Sequence, residues 1–124
     1  MTPQEAFETV AKHLLAQGRP SKNEKGMCVY RGPDGLKCAV GALIPDEAYD
    51  PRMEDIYASM VIAQFDDLEF LKEANLEVNG ERLLDVLQEL HDSSNYFWKN
   101  PKRKLKRVGQ VFNLSTDFLD AMED

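Results

Sequence analysis

The sequence predicts an α+β fold, a predominantly helical single domain over residues 1–124 with five or six helices and one β-hairpin at about residues 27–40. Three observations predict it. Apolar residues recur at steps of three and four through most of the chain, the period of a helix with one buried face. One stretch breaks that period, with Met27–Arg31 and Leu36–Val40 flanking the turn sequence Gly32-Pro33-Asp34-Gly35. The length of 124 residues, at 43% apolar and 30% charged, suits one globular domain and is too apolar for a disordered chain.

The first helix has explicit punctuation. Thr2-Pro3-Gln4-Glu5 is a capping box with proline at the first helical position. Phe7, Val10 and Leu14 form its apolar stripe, widened by Ala11 and Leu15, and Gly18 with Pro20 ends it. In the turn that follows, proline fixes φ and Gly35 can take positive φ, so the hairpin places Cys28 and Cys38 close to cross-strand, near enough to permit a bond. Asp50-Pro51 starts a helix carrying Met53, Ile56, Met60 and Ala63, and Asp66-Asp67-Leu68-Glu69 starts a shorter one with Phe70 and Leu71. Asn79-Gly80 reads as the start of a helix striped by Leu83, Leu87 and Leu90. Asn100-Pro101 opens another with Leu105, Val108 and Phe112 inward. Asn113-Leu114 breaks that helix, and Ser115 caps a last one holding Phe118, Leu119 and Met122.

The net charge of −7 conceals a split. Residues 46–92 carry fourteen acidic against three basic side chains, whereas residues 93–107 carry six basic side chains and no acid. The overall charge argues against direct nucleic-acid binding, which needs clustered Lys and Arg. No apolar run approaches the roughly 20 residues that span a bilayer. The first ten residues have neither the basic start nor the apolar core of a secretory leader, and two cysteines are too few for a disulfide framework. The expected setting is therefore the cytoplasm.

Asp85, Glu89 and Asp92 recur at steps of four and three, which stacks them on one helical face, and Glu81 precedes them in the same acidic stretch. Like charges at that spacing repel slightly. These four are candidate partner-binding residues, as carboxylates spaced along a helix imitate phosphates in a basic nucleic-acid groove. Lys102, Arg103, Lys104, Lys106 and Arg107 sit in the first turns of a helix, where the macrodipole disfavours cations. They are candidates for an anion or an acidic partner, for pairing with the acidic helices, or for meeting the acidic segment of a second copy in a homo-oligomer. A small cysteine-dependent enzyme would use Cys38 with His91. Asp92 follows His91 directly, and neighbours on a helix point about 100° apart, so Asp92 is poorly placed to orient that imidazole. The ten-residue spacing of the cysteines and the distant histidines fit no standard zinc pattern, and no metal or cofactor is expected. Residues 105–115 run helix, break, helix like a DNA-binding pair, but the segment from Thr116 to Asp124 has four acids and no base.

The run Tyr30-Arg31-Gly32-Pro33-Asp34-Gly35-Leu36-Lys37-Cys38-Ala39-Val40-Gly41-Ala42-Leu43-Ile44-Pro45-Asp46-Glu47 resembles a block found in small proteins of tailed phages and prophages. Leu87-Gln88-Glu89-Leu90-His91-Asp92 resembles a second block of the same group. The resemblance assigns no catalytic residue. It implies a mobile-element protein of the bacterial cytoplasm, in a class of small acidic proteins that bind and inhibit host factors, including nucleic-acid-handling defence complexes.

Overall fold

The Thr2 hydroxyl accepts from the Glu5 amide at 3.1 Å and the Glu5 carboxylate accepts from the Thr2 amide at 2.9 Å, so the capping box closes and starts α1 (Pro3–Gln17). Gly18 ends α1 in the left-handed conformation at φ 72°. The computed structural model describes residues 1–93 and 95–122. Five more α-helices follow: α2 (Ala58–Gln64), α3 (Leu83–Asp92), α4 (Asn95–Trp98), α5 (Pro101–Val111) and α6 (Asp117–Ala121), with short 3-10 turns between them and one antiparallel hairpin. The mostly helical α+β fold is thus the one the pattern predicts, but its hairpin lies elsewhere.

That hairpin is β1 (Glu77–Val78) with β2 (Glu81–Arg82), joined by Asn79 and Gly80 at φ 52° and 83°. Two left-handed residues in a row make the turn that matches strand twist, and Asn-Gly is the pair that adopts it most readily. The dipeptide read as a helix start is therefore a hairpin turn, and α3 begins at Leu83.

Across residues 27–40 the predicted chain reversal forms, with the Gly32 amide donating to Leu36 O at 2.8 Å, but no ladder forms. Pairing is limited to isolated bridges, Arg31 with Lys37 and Cys28 with Lys22. Other groups take the backbone donors a ladder would need. Glu54 accepts from the Tyr30 and Arg31 amides at 2.9 and 3.2 Å, Gln17 from the Lys37 amide at 3.0 Å, and Gln88 from the Val40 amide at 3.0 Å. The two cysteines are free.

The helix expected from Pro51 is also interrupted. Asp50 caps only a 3-10 turn, Pro51–Met53, and Asp55 adopts φ 67° before α2 starts. Glu54 is drawn away by its bonds to Tyr30, Arg31 and the Tyr49 hydroxyl, the last at 2.7 Å. The buried residues of α2 are accordingly Ala58, Val61 and Ile62, while Met60 of the expected stripe is exposed. Residues Asp66–Leu71 form a 3-10 turn that buries Leu68 and Leu71 but not Phe70.

One core unites these pieces, with Phe7, Phe97, Phe112, Leu14, Leu87 and Leu105 among its fully buried side chains. α1 packs against the 41–43 turn, α3 and α5, and α2 lies on α3. Gly109 permits the close approach of α5: a Cβ there would stand 2.4 Å from Thr116 Cγ2 and 3.0 Å from Phe7 Cζ. α6 begins after Thr116, one residue later than the expected cap, although the Ser115 hydroxyl still faces the Asp117 amide at 3.4 Å.

Candidate acidic cleft

The acidic side of α3 borders a cleft of about 500 Å³, walled by residues 28–30 and 55–60. Asp55, Asp85, Glu89 and Asp92 line it, no Lys or Arg does, and its apolar lining includes Ile56, Ala58 and Met60. Tyr57, at 81% exposure, stands at its edge with the half-exposed Met60.

The four carboxylates have different duties. Asp85 accepts from the Ser59 amide at 3.1 Å, satisfying a free N–H in the first turn of α2, where the macrodipole favours an anion. Asp92 accepts from Gln88 Nε2 at 3.1 Å and contacts His91 Nδ1 at 2.7 Å. Asp55 and Glu89 are exposed and form no ion pair among the described residues. Of the residues expected to bind a partner, Asp85, Glu89 and Asp92 share the cleft, whereas Glu81 lies beyond it in β2, bordering both a smaller hollow with Asp85 and Glu89 and the groove between α3 and α5.

Asp92 does orient His91, contrary to the expectation from adjacent helical positions. His91 is fully buried, in line with Leu84 and Leu87 at helical spacing. That alignment with the leucine stripe was the available sequence signal for its burial. Its Nε2 accepts the Ser21 amide at 2.9 Å. A backbone N–H can only donate, so the neutral ring carries its proton on Nδ1 and gives it to Asp92. Gln88 ties the loop after residue 36 to the end of α3, accepting from the Val40 amide and donating to Asp92.

Cys28 comes within 4.8 Å of this pair, so a thiol, an imidazole and a carboxylate meet where their sequence spacing gave no hint. The hydrogen bonds fit a brace better than a metal centre. One imidazole nitrogen is protonated towards Asp92 and the lone pair of the other is taken by Ser21. Burial, and then the charge and hydrogen bond of Asp92, push the Cys28 thiol up to about 11. Burial pushes Cys38 up to about 12, against the lowering effect of the Gly41 amide at 3.3 Å. With both ring nitrogens engaged, His91 has none to offer Cys38. At neutral pH both thiols should alkylate slowly with iodoacetamide, the Cys28 rate rising only as pH approaches its raised pKa. A stopped-flow pH profile showing a thiolate already formed near pH 7 would contradict this arrangement.

The basic candidates are largely absorbed by their own neighbourhood. Lys102 Nζ donates to Met122 O, Lys104 Nζ donates to Tyr96 O and lies 4.0 Å from that ring's centroid, and Lys106 pairs with Asp120 at 2.6 Å. None of the ion pairs among the described residues joins segment 46–92 to segment 99–107, so the expected pairing with the acidic helices is replaced by contacts with α4, α6 and the residue after α6. Arg103 and Arg107 remain exposed and without an ion pair among the described residues.

Comparison with protein-family models, with curated proteins and with solved structures finds no match for the chain. No helix among the described residues is long and apolar enough to cross a membrane.

Proposed function

We propose that the chain is a non-enzymatic phage-type protein that acts by docking a basic protein partner, with the cleft beside α3 receiving that partner's cationic side chains. The observation that carries this reading is a lining with four carboxylates and no base over an apolar floor. A guanidinium entering there gains charge-assisted hydrogen bonds from Asp55 and Glu89. Tyr57 offers an exposed ring for a cation–π contact, and Met60 an adaptable apolar surface. The braces on Asp85 and Asp92 hold two of the charges in place before a partner arrives, which reduces the ordering cost of association.

The partner class that fits is a bacterial host protein whose surface is basic because it handles nucleic acid. Occupying that surface would inhibit it, and the bacterial cytoplasm is the place where the two would meet. The phage-type resemblance of residues 30–47 and 87–92 supports that setting, and the acidic row supports the sign of the partner. The enzyme alternative, Cys38 with His91, has less support because both thiols are held protonated.

An arginine-rich peptide tests the reading directly. Calorimetric affinity for the intact chain should fall steeply as added salt shortens the Debye length from about 10 Å at 0.1 M to about 3 Å at 1 M. The pair Glu89→Lys and Asp55→Asn should weaken binding by at least about tenfold, with helical content unchanged. A flat salt response, or equal affinity in that variant, would show that the cleft is not the docking site.

A further inference from the structure

A second surface, away from the cleft, carries both signs of charge. A groove of about 180 Å³ runs between α3 and α5. Its floor is apolar, with Val86 and Leu90 from one helix and Val108, Val111 and Phe112 from the other. Val111 and Tyr96, which also line it, are 49% and 56% exposed. Glu81 of β2 stands beside the start of α3, and Lys104 and Arg107 stand on the α5 side, where Lys104 is already engaged with Tyr96 O and the Tyr96 ring. Glu81 and Arg107 form no ion pair with each other across the groove, and neither is paired elsewhere among the described residues.

We infer that a second copy of this chain docks on this groove, forming a two-fold dimer in which Glu81 of each copy faces Arg107 of the other across a shared apolar strip. Charge order selects the occupant. A partner of one sign would be attracted by one wall and repelled by the other, and a wholly apolar segment would desolvate both charges without pairing them. A second copy, turned about a two-fold axis parallel to the groove, presents its own walls in reversed order. Acid then meets base on both sides and Val111 packs over the partner's strip. A two-fold axis across the groove would instead set acid on acid, so electrostatics also picks the orientation. Such a self-complementary patch is what an isologous interface requires.

Arg107 and Val111 lie away from the acidic cleft, whereas Glu81 also borders a hollow with Asp85 and Glu89, so Arg107→Glu and Val111→Asp are the variants that separate failure of this interface from failure of basic-partner docking. Sedimentation equilibrium of the full chain should show the mass rising with concentration from 14.1 kDa towards twice that value, with weaker association at high salt. Arg107→Glu and Glu81→Arg should each raise the dimer dissociation constant by at least about tenfold, since like charges then face each other twice. Mixed together, these two variants should associate again, because every contact in the mixed dimer is opposite in sign. Val111→Asp should also disperse the dimer, with circular dichroism confirming an intact fold for each variant. A mass of 14.1 kDa at every concentration would overturn the inference. So would a dimer indifferent to all three substitutions, or variants that fail to recover on mixing.

Discussion

Replacing Arg31 by leucine is expected to lower the stability of the fold by about 3 kcal/mol, measured by urea denaturation. The guanidinium donates to Gly41 O and Ile44 O, each at 2.7 Å, and both residues are buried. Leucine fills part of the space but leaves the buried Ile44 O without its donor, at roughly 1–3 kcal/mol before local relaxation, and leaves Gly41 O with the Ile44 amide at 3.2 Å in place of a charge-assisted bond. It also removes the stacking of the guanidinium 4.9 Å from the Tyr49 ring centroid. The contact with Asp46 at 3.2 Å adds little, because that carboxylate is solvent-exposed. Lysine should recover only part of the loss, since its single ammonium lacks the planar fork that reaches both carbonyls. A loss below about 1 kcal/mol for the leucine variant would mean that the loop from Gly41 to Ile44 holds its shape without Arg31.

Replacing His91 by alanine should cost about 3–4 kcal/mol and should also loosen the cleft wall. The imidazole is fully buried, edge-on to Trp98 at 5.9 Å between ring centroids, and is the acceptor for the buried Ser21 amide. Alanine leaves a cavity and an unsatisfied donor, and it frees Asp92 from one of its braces. His91→Leu separates the two effects: it keeps most of the volume, so the loss that persists measures the missing acceptor. Thermal denaturation gives the stability of each variant, and hydrogen exchange at the Ser21 amide reports the broken bond. An alanine variant as stable as the parent, with Ser21 still protected, would refute this role.

The parts of the fold readable from sequence are those made by residues near one another in the chain. The capping box of α1 closes within three residues, its Gly18 stop lies one residue past the helix, and α5 runs from its proline with Leu105, Val108 and Phe112 buried. The hairpin at Glu77–Arg82 is equally local, carried by Asn79-Gly80, and the turn sequence at 32–35 is the competing hairpin signal in the chain. The run at 27–40 fails as a ladder because Gln17, Glu54 and Gln88, 20, 24 and 48 residues away from the amides they accept, claim its backbone donors. No periodicity encodes such a bond. The same is true of His91, whose acceptor role depends on an amide 70 residues earlier.

For the candidate site, sequence supplied the acids and the fold gave each its duty. Asp85 and Asp92 became partly structural, Asp55 joined the cleft from a turn that local pattern places inside a helix, and Glu81 stands between the other acids of α3 and the α3–α5 groove. Sequence alone determined the helical class, the ends of α1 and α5 and the strongly acidic character of residues 46–92, because composition, caps and helical periodicity act over a few residues. Only the tertiary structure decided which charges pair. Lys106 found Asp120 of α6 while Arg107, one residue on, was left facing an apolar groove. The reason is that Coulomb energy depends on distance and exposure in three dimensions, and adjacent residues of a helix point about 100° apart.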